Sequence, residues 1–150
     1  IIAMSSFTLT GYSSDEDYTP NFWNKYNCKK YSKRLSGGKI CADYGVCIWN
    51  NEANKLDYFI GIKTEDAVGD ISATTQLYVS GGLYAVFATP PSSHFNFVNT
   101  IHRTWPYIFN DWMPGSEYQC ASHGYQFETY VEESRIYSED IYIPIEVKQC

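Results

Sequence analysis

Basic residues are scarce in this chain. Eleven lysines and arginines face seventeen acids, for a net charge of −6. The basic pairs Lys29-Lys30 and Lys33-Arg34 extend into no longer run. Binding to phosphate backbones needs more positive charge than this, so direct nucleic-acid binding is excluded and any DNA reading would come from another chain. The acidic field instead favours the approach of cations. Long apolar runs are absent too, which excludes a membrane-spanning helix, and Ile1-Ile2-Ala3-Met4 is too short for a signal peptide. The five cysteines, Cys28, Cys41, Cys47, Cys120 and Cys150, are odd in number and irregularly spaced. They form no CxxC and no His/Cys metal spacing, so neither a disulfide framework nor a metal site is expected. Asn-x-Ser/Thr is missing as well. A reducing cytoplasm is the expected location. The three histidines, His94, His102 and His123, have no triad-like partners, and no cofactor is expected.

Aromatic residues, by contrast, are abundant. They make up 17% of the chain, and tyrosine alone supplies 14 residues. Tyrosine suits a surface that must be apolar and hydrogen-bonding at once, as a ligand cleft is. A tyrosine-rich sheet with its hydroxyls in water accounts for part of the same excess. At 150 residues the chain fits one domain, 1–150, with a real core.

Period-two alternation predicts strands at 7–11, 42–49, 57–63, 83–87, 125–130 and 141–147, with a further extended stretch at 76–79. Pro144 marks the last strand as an edge or as locally unpaired. Apolar residues at helical spacing predict one helix from Pro20 to Leu35. A second runs from His94 to Trp112, kinked or restarted at Pro106. The stretch 132–140 reads as a polar loop. Two halves, about 1–68 and 75–150, look alike. Gly61 and Pro144 are 83 positions apart, as are Tyr44 and Phe127, while Trp23 and Trp105 are 82 apart. Each half reads strand, helix, strand, strand. The expected fold is therefore α+β: duplicated βαββ units with pseudo-twofold symmetry. An antiparallel sheet would carry two main helices, with a central groove where the halves meet.

The run YQFETY at 125–130 sets one acid, Glu128, into a strand of aromatic residues. Alternation puts Gln126, Glu128 and Tyr130 on one face. A carboxylate among rings is costly to desolvate unless something positive meets it. A delocalised cation would pair with it and stack on the rings, at roughly 0.5–2 kcal/mol for each cation–π contact. The same alternation also fits a solvated glutamate on an outer strand face.

The motifs GGLYAVF at 81–87, W-x-P at 112–114, FETY at 127–130 and IYIPI at 141–145 follow one another in the second half. YGV at 44–46 and DYFIGI at 57–62 stand in the first. In this order and spacing they resemble the GyrI-like, AraC-type effector-binding domain over nearly the whole chain. The resemblance implies two βαββ units and a free-standing or regulator-borne module. It implies binding of bulky lipophilic cations in an aromatic pocket with a buried glutamate. That glutamate falls on Glu128, and the tyrosine of the last strand falls on Tyr142. Some relatives hydrolyse strained cyclopropane rings with a glutamate in this cleft, and one inhibits DNA gyrase by direct contact. Two departures stand out. The usual H-x-G-P-Y is Ala88-Thr89-Pro90-Pro91-Ser92 here, and no helix-turn-helix accompanies the domain.

The expected function is the binding of lipophilic, cationic, aromatic small molecules. The alternatives are a cyclopropanoid-type hydrolase using Glu128 as base or acid, and a gyrase-inhibitor-like module with a protein partner. If Tyr142 shares the face of Glu128, the repeat offset brings Phe59, Gly45, Cys47 and Trp49 to that side too. The expected ligand-binding residues are Glu128, Tyr130, Tyr142, Phe59, Trp49, Trp105, Phe109 and Trp112. The last three also fit core packing on the second helix. Cys47 fits a buried structural thiol better than a nucleophile.

Overall fold

Alternating side chains assemble into one antiparallel sheet in the computed structural model, which describes residues 1–14, 23, 25–27, 29–39, 41–50, 55–89, 97–130 and 139–148. The strands are β1 (Ile2–Met4), β2 (Phe7–Ser14), β3 (Asp43–Asn50), β4 (Lys55–Lys63) and β5 (Thr75–Val79). They continue with β6 (Gly82–Ala88), β7 (Tyr118–Cys120), β8 (Gln126–Tyr130) and β9 (Asp140–Val147). Their spatial order is β1-β6-β9-β8-β3-β4-β2-β5, with β7 on the side of β9. Exchanging β1 with β5, β2 with β6, β3 with β8 and β4 with β9 returns the same order. β1 precedes β2 in the chain but pairs with β6, and β5 precedes β6 but pairs with β2. The two middle strands, β3 and β8, meet with Gly45 opposite Glu128.

The fold is α+β, as expected, with the described helices, all short, on one face of a curled sheet. Helix α1 (Tyr31–Ser36) is separate from the helical residues at Trp23 and 25–27. Lys30, with φ 54°, sits in the left-handed region between them, so the single helix expected from Pro20 to Leu35 is broken there. Its first residues lie outside the described part. Helix α2 (Phe97–Tyr107) runs through Pro106 and widens into a π-helical stretch, Ile108–Trp112, then closes at Met113–Gly115. A proline that cannot donate disturbs the regular ladder, and a wide turn directly after it absorbs the mismatch. Lys148 Nζ caps this end, donating to the carbonyls of Met113 (3.0 Å), Pro114 (3.2 Å) and Ser116 (2.6 Å). Among the described residues, no helix is long and apolar enough to cross a membrane.

Each face of the sheet has its own core. The side that carries none of the described helices gathers Leu9, Val46, Phe59, Val79, Tyr84 and Phe127, drawn from strands of both ends because the sheet curls. The helix-bearing side holds two clusters. One packs Tyr26 and Leu35 on Tyr58, Ile60 and Ile62. The other packs Ile108 and Met113 on Ala85, Ile141, Ile143 and Ile145.

Three sequence expectations change. β2 runs on to Ser14, because Tyr12, Ser13 and Ser14 find partners in Ile60, Phe59 and Tyr58. β9 is an interior strand paired to both β6 and β8 rather than an edge, while the alternative, a local lack of pairing, fits Pro144 on the β8 side, two residues past Tyr142. Finally, the offset of 83 holds where β3 meets β8 but not in β9. Tyr44 lies opposite Gly61, while Phe127 lies opposite Tyr142. The pairing thus matches Gly61 with Tyr142 rather than with Pro144.

Candidate functional site

Glu128 stands on β8 in the middle of the sheet, on the helix-bearing face, and is only 7% exposed. Its neighbour across the seam is Gly45, and that glycine is required by close approach. A Cβ there would strike the Tyr58 hydroxyl and would come within 2.8 Å of Trp23 Cζ2. With no side chain at position 45, the phenol of Tyr58 crosses β3 and donates its hydrogen to Glu128 Oε1. Trp23 Nε1 in turn donates to the Tyr58 oxygen at 3.0 Å. Burial, and then the charge of Glu128, raise the Tyr58 pKa well above the ordinary phenol range. Tyr58 therefore stays a donor.

A second carboxyl group completes the arrangement. Glu139, at the entry to β9, is 5% exposed and shares a side-chain hydrogen bond with Glu128. Thr89 pins its backbone twice: the Thr89 N–H donates to the Glu139 carbonyl at 2.8 Å, and the Glu139 N–H donates to Thr89 Oγ1 at 2.7 Å. Burial first, then the charge on Glu128, push the Glu139 carboxyl well above the usual carboxylate range. Two buried carboxyl groups this close cannot both ionise, so Glu139 keeps its proton and donates it. The pair then carries one negative charge between two O–H donors, and such charge-assisted bonds are strong. The described partners of Glu128 are hydroxyl and carboxyl groups, with no lysine or arginine among them. Arg34 pairs with Asp70 and Lys39 with Asp66, both at the surface.

The Cys47 thiol lies on the same face, opposite Gln126. Burial, then Glu128 and Glu139, push it up to about 12, so it is a neutral, unreactive wall. Among the described residues, no group of three or more His, Cys, Asp or Glu side chains could hold a metal ion.

Of the residues singled out from sequence, Glu128 and Tyr130 share this face, since both alternate with the buried Phe127. Trp105 and Phe109 stack at 6.2 Å and pack against the cluster containing Ile141, the residue opposite Glu128. Trp112 joins that cluster but turns to Phe87 and stacks on Tyr118. Tyr142 and Phe59 are on the other face. Tyr142 lies opposite Phe127 and stacks on it at 4.5 Å, and Phe59 lies opposite Val46 in the cluster with Leu9 and Phe127. The expectation that Tyr142 and Glu128 share a face is corrected by this register. Trp49 lies in β3, and its side chain is outside the described part.

Sequence reasoning missed Tyr58, Trp23 and Glu139 as neighbours of Glu128. Glu139 was within reach of it. The Ile141, Ile143, Ile145 parity marks an inward face, and one step back along it falls on Glu139. Tyr58 was not, because its approach depends on Gly45 lying across a strand pair.

Comparison with known proteins agrees with this fold. The family described as integron-associated effector binding protein, Cass2, matches residues 1–145. The comparison with curated proteins gives no match. Among solved structures, SAV2435 bound to tetraphenylphosphonium is similar, with a TM-score of 0.66 and 17% identity over 97% of this chain and 92% of that one. The integron cassette protein VCH_CASS2, from the mobile metagenome of Vibrio cholerae, is similar with a TM-score of 0.60 and 15% identity. It aligns over 97% of this chain and 94% of its own. At these identities the likeness is one of fold.

Proposed function

Because the chain belongs to the Cass2 family of integron-associated effector binding proteins, we propose that it binds lipophilic, cationic, aromatic small molecules at Glu128. The observation that carries this reading is a pair of buried carboxyl groups, Glu128 and Glu139, with no basic side chain among their described partners. A charge held this way is matched by a cation that sheds its water cheaply, which a delocalised or aryl-shielded cation does and an ammonium or metal ion does not. Trp23, Tyr58 and Tyr130 lie on the same side, as does the Trp105–Phe109 stack. The relative solved with tetraphenylphosphonium supports the choice of ligand class.

Titration of the protein with tetraphenylphosphonium, followed by calorimetry, tests this. Saturable binding is expected, and Glu128→Gln should weaken it by tenfold or more, since a tenfold loss corresponds to only about 1.4 kcal/mol. Absence of saturable binding, or equal affinity in the variant, would refute the proposal.

One observation favours a second reading, hydrolysis of a strained electrophile. Two buried carboxyl groups lie side by side, and burial together with Glu128 favours the acid form of Glu139, the arrangement an acid–base pair needs. Incubation with a cyclopropanoid substrate should then give a water adduct by mass spectrometry, and Glu128→Gln should abolish it.

A further inference from the structure

The site contains two carboxyl groups, and burial beside Glu128 favours the protonated form of Glu139. Glu139 is 95% buried by its 5% exposure, and its Oε1 has no hydrogen-bond partner among the described residues. A buried polar atom left in this way costs free energy and asks for a partner. Among the described residues, the titratable groups that bear on Glu139 are few. Glu128 faces it from β8, and Asp140 follows it in the chain but belongs to the opposite parity of β9, across from Thr129. Tyr58 from β4 and Cys47 from β3 face the pair, and burial keeps both protonated.

Resting on the cation-binding reading, we propose that this site also takes dicationic aromatic ligands, exchanging the Glu139 proton for the ligand's second positive charge. The step balances simply. The Glu139 O–H bond breaks, its proton leaves to water, and a second carboxylate remains beside the second cationic centre. A monocation needs no such exchange, because the pair already offers it one charge. A divalent metal ion is a poor substitute, since it asks for about six or more oxygen ligands. The described donors here are two carboxyl groups, a phenol and a thiol.

The test compares two fixed-charge probes, tetraphenylphosphonium and diquat, a bipyridinium with two cationic nitrogens on one rigid aromatic frame. Calorimetry in phosphate and in Tris at the same pH counts the protons released. Diquat should release one proton per molecule bound, and its affinity should rise about tenfold per pH unit between pH 6 and 8. Tetraphenylphosphonium should release none and show a flat profile. In Glu139→Gln, the release by diquat should fall to zero and its pH slope should vanish, with the fold checked by circular dichroism. If tetraphenylphosphonium binds while diquat does not, or if diquat binds without proton release, the inference is overturned and the cation-binding reading stands. Proton release that persists in Glu139→Gln overturns it as well. If neither probe binds, the reading beneath it fails first.

Discussion

The proton on Glu139 makes a quantitative claim about stability. In the unfolded chain this carboxyl titrates near 4.5, while in the folded protein burial and Glu128 hold its pKa far higher. Between those two values the folded state binds one more proton than the unfolded state. Stability from this group is therefore fully present in acid and declines as pH rises, by about 1.4 kcal/mol per pH unit. From pH 5 to pH 7 the loss amounts to about 2–3 kcal/mol. For a domain of this size that is roughly 5–11 °C in melting temperature. Glu139→Gln keeps the shape, and its amide N–H still donates to Glu128, but it has no proton to lose. Thermal melts of both proteins from pH 5 to pH 7 provide the assay, since every other titrating group is common to both. The wild type should lose ground to the variant across that window by about the stated amount. A gap that stays constant with pH would refute the reasoning, whichever protein melts higher.

Three further outcomes are expected. Gly45→Ala should cost about 1–3 kcal/mol in urea unfolding, because its methyl strikes the Tyr58 hydroxyl. That cost should shrink in the background of Tyr58→Phe, and an additive cycle would place the collision elsewhere. Lys148→Ala removes three bonds to carbonyls at the end of the α2 segment, and a loss of about 1 kcal/mol should appear in denaturant titration. Cys47, with its thiol pushed up to about 12, should react with iodoacetamide at pH 8 far more slowly than exposed Cys120. Peptide mapping that found the two equally labelled would contradict the placement of Cys47.

Strands were the most legible part of the sequence, because alternation is a local property. Six alternating segments became β2, β3, β4, β6, β8 and β9, and the stretch at 76–79 became β5. The short strands β1 and β7 were not foreseen: three residues are too few to show a period, and only their partners β6 and β9 define them. Alternation groups Glu128 with Gln126 and Tyr130, and the repeat offset groups Gly45 with Cys47; that Gly45 lies opposite Glu128 comes from the register. Tyr142 and Phe59 were assigned to the wrong side for one reason. Alternation fixes which residues of a strand share a face, but only the cross-strand register says which face that is. The Glu128–Glu139 contact is tertiary and spans the junction of β8 and β9. Its charge state follows from burial, which no composition reveals.

The crossed arms β1 and β5 carry a mechanical consequence. Each grips the opposite half of the molecule, β1 through three paired residues and β5 through five. A protease nick in the linker at 67–74 would therefore leave two pieces still clasped, each holding a strip of the other's sheet. Neither piece can peel away without tearing an edge from its companion, so the molecule should melt in a single step. Made alone, one half would find its missing strip only by embracing a second copy of itself.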